Sequence, residues 1–178
     1  MQHTGAGRVH GIWGNNVKSV EKTFQLPQKH AAVQIKARYW AIDSWDNEWA
    51  YMDVDGQEVW KQRFHWAPHH ECHHGFKTFH GSFPNPWHGN HAGHRCYYDI
   101  DVKHKHSGST LKLRFRTNIN SHKNDESWAF SRVEVSTDGF GTSEHGFCLK
   151  CHDSCKSCTM LSDEDSEGRD IWSGLNAV

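Results

Sequence analysis

Two short acidic stretches hold the side chains best suited to gripping a hard cation. Asp43-Ser44-Trp45-Asp46-Asn47-Glu48 places three acids in six residues at the end of a strand-like run, and Asn124-Asp125-Glu126-Ser127-Trp128 precedes another. Carboxylate and amide oxygens suit Ca²⁺, which takes about six to eight oxygen ligands in flexible geometry. Strand-end loops far apart in sequence can meet at one edge of an antiparallel sandwich. Asp43, Asp46, Glu48, Asp125 and Glu126 are therefore expected to frame a structural calcium site, completed by backbone carbonyls. The plainer alternative has each acid capping a turn and facing solvent. Paired carboxylates also serve glycosidases, but no stretch supplies a cleft or an apolar pocket to raise one of them, so a hydrolase is a remote alternative.

A second constellation is built on imidazole. His69-His70-Glu71-Cys72-His73-His74 sits in a segment that also carries His80, His88, His91 and His94. Imidazole binds Zn²⁺, Cu²⁺ and Ni²⁺ well. His69, His70, His73 and His74 are the candidate ligands, and a transition-metal-binding protein is the alternative functional reading. Against it stands a solvated, histidine-biased loop with adventitious affinity, because a specific site needs ligands fixed by surrounding contacts. The HExxH, P-loop, GxGxxG and GxSxG patterns are absent. No catalytic residue is assigned, and the chain is read as non-enzymatic.

The six cysteines divide as two plus four. Cys148, Cys151, Cys155 and Cys158 follow one another with gaps of two, three and two residues. Zinc modules usually separate their CxxC pairs by a longer insert that lets four thiolates converge. The dense run suits a small disulfide framework in an oxidising compartment. Of its three possible pairings, Cys148 with Cys155 and Cys151 with Cys158 is preferred. Cys72 and Cys96 are expected to staple the long loop between them, contributing about 3 kcal/mol by chain entropy. That bond would also remove Cys72 as a nucleophile.

The elements that position these groups read as strands. Val33, Ile35, Ala37 and Tyr39 alternate within 32–42, Tyr98, Ile100 and Val102 within 97–104, and Leu111, Leu113 and Phe115 within 111–117. Such period-2 runs mark half-buried strands. Segments 17–26, 48–54, 57–64 and 128–135 complete the set, and Asp55-Gly56 marks a two-residue hairpin. No segment sustains a helical period. The expected fold is all-β, an antiparallel jelly-roll-like β-sandwich with a short disulfide-rich C-terminal extension. The sandwich is placed at 9–137 with a long His-rich loop at 65–96. A linker at 138–146, a partial cysteine-rich repeat at 147–160 and a polar tail at 161–178 follow.

Composition narrows the partners. The 178 residues carry a net charge of -1 with histidine neutral, so no basic face for nucleic acid is indicated. The 17 histidines make the chain cationic below about pH 6. No run of 18 apolar residues suggests a membrane span, and Met1 to Gly14 lacks the apolar stretch of a leader. Most of the nine tryptophans lie on alternating strands and are read as core. Trp66 and Trp87 fall in the loop and are the candidates for stacking on sugar rings or a protein partner.

Several of these stretches carry a resemblance. They are Leu26-Pro27 with His30, Ala41 to Glu48, Val54-Asp55-Gly56 with Val59-Trp60, His106-Ser107 with Leu111-Lys112-Leu113, and Asn124 to Trp128. The body resembles the β-sandwich modules of large cysteine-rich surface proteins of protists and algae. Gly146 to Cys158 looks like the opening of a furin-like, growth-factor-receptor-type cysteine-rich repeat. Two departures stand out: the repeat stops after four cysteines, and the His-rich loop is unusual. The resemblance implies disulfides and an extracellular or cell-surface setting. The function expected is a non-catalytic module for glycan or protein binding, or for surface assembly with other surface proteins or with copies of itself, stabilised by calcium and disulfides.

Overall fold

A computed structural model describes residues 2–4, 6–26, 29–65, 72–80, 95–139, 161–162 and 176–177. Among them are strands and no helix: β1 (Gln2–Thr4), β2 (Gly7–Trp13), β3 (Ser19–Gln25), β4 (His30–Asp43), β5 (Asp46–Val54), β6 (Gln57–His65), β7 (Lys77–Thr78), β8 (Arg95–Lys105), β9 (Thr110–Thr117), β10 (Glu126–Gly139), β11 (Leu161–Ser162) and β12 (Asn176–Ala177). They form two antiparallel sheets. The first runs β1-β2-β10-β4-β8-β7 with β11 on β10, and the second runs β12-β3-β9-β5-β6. No helix of the described residues is long and apolar enough to cross a membrane.

The alternation seen in the sequence becomes the inner face of the sandwich. Val33, Ile35, Ala37, Tyr39 and Ala41 from β4 meet Ala50, Met52 and Val54 from β5 and Leu111, Leu113 and Phe115 from β9 in one core. Ile100 is buried with them, and Tyr98 and Val102 pack at its margin. Trp45 and Trp128 are fully buried. Their indole N–H groups donate to Ser127 O at 2.9 Å and Val17 O at 2.8 Å, which offsets the cost of taking a polar tip out of water. Asp55 and Gly56 sit at φ 50° and 85°, the paired positive angles of a tight hairpin turn.

Two features were not anticipated. Strand β2 lies on β10, where Gly11 has φ 129° and a Cβ there would meet Ala129 Cβ at 2.7 Å. Only glycine allows that approach. A second apolar cluster covers the outer side of the first sheet: Val9, Trp40, Ile42 and Ala129, flanked by Ala6, Ile12, Phe79 and Tyr97. Trp40 thus points away from the main core yet is fully buried.

Cys72 and Cys96 are joined, with Cα atoms 5.7 Å apart, as expected. The bond ties the segment before β7 to the start of β8. The extension cysteines Cys148, Cys151, Cys155 and Cys158 lie outside the described residues, as do nearly all of the linker and most of the polar tail.

Candidate functional site

The acidic stretches do come together. Strand register sets Glu126 opposite Asp43, and Ser44 N–H donates to Asp125 O at 3.0 Å. Asp43, Glu48 and Glu126 are buried, whereas Asp46 and Asp125 are exposed. The carboxylates hold backbone. Glu126 Oε2 accepts from Asn120 N–H and Ser121 N–H, both at 3.0 Å, and Glu48 Oε2 accepts from Asp46 N–H. Burial pushes the Glu126 carboxyl above the usual range, and the charges of Glu48 and Asp125 add to the push. Its two backbone bonds pull the other way. Among the described residues, no three His, Cys, Asp or Glu side chains are grouped so as to hold a metal ion.

Of the histidine candidates, His73 is partly buried and its carbonyl accepts from Phe76 N–H at 3.1 Å. His74 is exposed in the left-handed conformation at φ 56°. His69, His70, Trp66 and Trp87 lie outside the described residues.

A different surface has the more complete chemistry. Inward Ala50, Met52 and Val54 on β5 leave Trp49, Tyr51 and Asp53 on the outer side of the second sheet. Register places Arg116 and Lys61 on either side of Tyr51, Arg114 and Glu58 on either side of Asp53, and Arg63 beside Trp49. Direct cross-strand neighbours share a face, so these groups form one ordered patch. Trp49 and Tyr51 are partly exposed, with ring centroids 6.4 Å apart. The Arg116 guanidinium lies 3.8 Å over Tyr51, and Lys61 Nζ lies 5.7 Å from the Trp49 ring.

Asp53 organises the patch from beneath. Its side chain is 1% exposed and accepts from Arg114 Nε at 2.8 Å and from Arg116 Nε and Nη2 at 2.8 and 3.1 Å. Arg116 also reaches Glu58 at 2.9 Å, and Lys61 meets Glu58 at 3.1 Å. The hydrogen bond to Asp53 holds the Arg116 guanidinium firmly in its charged form. Beyond Arg114 the face continues into a polar depression of about 160 Å³ lined by Glu21, Asp55, Gly56, Lys112 and Arg114.

Two partly exposed aromatic rings beside fixed donors and acceptors can meet a ligand that combines an apolar patch with a polar rim. The sequence reading counted Trp49 with tryptophans that are mostly core. The signal that separates it is parity: Trp49 and Tyr51 share a side of the strand with Asp53, opposite Ala50 and Met52. On β9 the basic Lys112, Arg114 and Arg116 alternate with Leu111, Leu113 and Phe115 in the same way. Comparison with protein-family models, with curated proteins and with solved structures finds no match.

Proposed function

We propose that this chain is a non-catalytic module of an extracellular or cell-surface protein, and that it binds glycan on the outer face of the β3-β9-β5-β6 sheet. The observation that carries the reading is the Trp49–Tyr51 row, flanked by the Arg116–Asp53–Arg114 network. The disulfide supports an oxidising compartment. Asp53 and Glu58 engage Arg114, Arg116 and Lys61, and Arg63 donates to Asn47 Oδ1, so these groups stand as fixed hydrogen-bond partners for the hydroxyls of a ligand. A glycan array tests this. Wild type should bind a defined set of sugars, and Trp49→Ala and Tyr51→Ala should each weaken binding about tenfold or more, as loss of an aromatic anchor does. Binding that survives both substitutions removes the site from this face. Self-association or capture of a purified surface protein, without sugar binding, assigns the face to assembly instead.

Calcium stabilisation at the acidic end is a separate proposal, supported by the electrostatic closeness of buried Glu126 to Glu48 and Asp125. It requires exposed Asp46 and Asp125 to turn toward that pair. A melting temperature that falls with a calcium chelator and recovers with Ca²⁺ supports it. An unchanged one leaves these acids as anchors for backbone.

A further inference from the structure

At the opposite end of the sandwich from the acidic stretches, three side chains, one from a strand end and two from loops, form a line. His30 opens β4 in the first sheet. Asp55 begins the hairpin turn of the second sheet. His106 stands on the crossover from β8 in the first sheet to β9 in the second. His106 Nε2 lies 3.1 Å from Asp55 Oδ2 and 3.1 Å from Thr110 O. Both partners are acceptors, so this nitrogen carries the proton. His106 Nδ1 lies 2.7 Å from His30 Nε2, with the rings within 8° of parallel and their centroids 5.0 Å apart. That is edge-to-edge contact along one line. In neutral His106 the Nδ1 is then an acceptor, and His30 Nε2–H is its donor.

The tautomers fix how many protons the line can hold. His30 can become an imidazolium while its Nε2–H still donates. A further proton on His106 Nδ1 would set N–H against N–H at a distance that demands a donor and an acceptor. Both rings are buried, at 5% for His30 and 6% for the His106 side chain, while Asp55 is 46% exposed. The line is bound into the backbone around it. Leu26 N–H donates to Ser109 O at 2.9 Å, His106 N–H to Ala31 O at 3.1 Å and Asp55 N–H to Lys112 O at 2.9 Å. The surrounding charged groups are Asp138, which accepts from the N–H groups of Ala31 and Ala32 and faces Lys103, Lys29 and Lys105, the chain neighbours of His30 and His106, and Lys112 paired with Glu21.

We infer that His30, His106 and Asp55 form a pH-sensitive clasp that joins the two sheets at this end and opens when a second proton enters the imidazole pair. The open form binds more protons than the closed one, so the closed form weakens as pH falls. Asp55 also lines the polar depression, so opening frees one of its walls. The clasp itself does not depend on what binds there.

Hydrogen exchange on the full chain, treated to remove metals and corrected for the intrinsic pH dependence of exchange, tests this. Between about pH 7.5 and about pH 5, protection of the Leu26 and His106 amides should drop about tenfold or more, the size expected when one or two hydrogen bonds are lost. His30→Gln/His106→Gln should show no such pH dependence at those amides. Equal protection at both pH values in wild type, or an equal drop in the double variant, overturns the clasp. Nitrogen-15 imidazole spectra of the wild type test it without a variant. Both rings should carry Nε2–H at alkaline pH, and a His106 proton on Nδ1 overturns it. One equivalent of zinc held by these two rings at neutral pH overturns it as well.

Discussion

Replacing Asp53 with asparagine tests whether the outer patch is held by charge from beneath. Its carboxylate is 1% exposed and meets two guanidinium groups, with Arg114 Nη2 at 2.6 Å and Arg116 Nε at 2.8 Å. Asparagine keeps the shape but turns an N–H₂ toward cations and removes the negative charge. Deleting one partner of a buried ion pair costs about 3 to 5 kcal/mol. Here the arginine side chains are 35% and 29% exposed, and water screens part of the stranded charge. The expected loss is therefore about 2 to 3 kcal/mol, or roughly 5 to 10 °C in melting temperature for a chain of this size. Urea melts of wild type and Asp53→Asn should differ in midpoint at constant slope. A double-mutant cycle with Arg116→Gln should give a coupling of at least about 1 kcal/mol. A loss under about 0.5 kcal/mol, or independent effects of the two changes, would refute the placement of Asp53 as the anchor of this face.

Three further outcomes are expected. Reducing Cys72–Cys96, or replacing both with serine, should lower stability by about 3 kcal/mol in a denaturant melt; an effect near zero would mean that the intervening segment is already constrained without the bond. Gly11→Ala should cost about 2 to 4 kcal/mol, because the added Cβ meets Ala129 Cβ at 2.7 Å at φ 129°, and near-wild-type melting would contradict the close approach of β2 to β10. Burial raises the folded-state Glu126 carboxyl above its unfolded value. Its stabilising contribution is therefore full below the unfolded value and is lost as pH rises through the folded one. Glu126→Gln keeps the backbone acceptor without the charge, so its stability relative to wild type should rise across that acidic-to-neutral window; parallel stability curves would refute this.

The strands that pair within the sandwich were legible because their side chains alternate, and alternation is a local property. Ile35, Leu113 and their neighbours declare a face without reference to any partner. Strand β2 was hidden because Gly7, His10 and Gly11 break the rhythm. Its place is set by contact with β10 more than a hundred residues away. Parity also says nothing about what covers a face. Trp40 and Trp49 both point outward, yet Trp40 is sealed against Phe79 and Tyr97, whereas Trp49 stays partly open. The meeting of the two acidic stretches could be foreseen from strand-end geometry. That Glu126 accepts two backbone N–H groups could not, since this depends on the path of the 118–126 turn. The line from His30 to Asp55 needed the register of both sheets before its members became neighbours.

The disulfide also has a mechanical consequence. Cys72 and Cys96 are 24 positions apart in the chain. Under tension, unfolding of the sandwich would leave that span unextended, withholding about 80 Å of contour at about 3.3 to 3.6 Å per residue. A single-molecule extension should therefore come out shorter by that amount under oxidising conditions than under reducing ones. The staple would thus cap how far the chain can lengthen once the sandwich gives way.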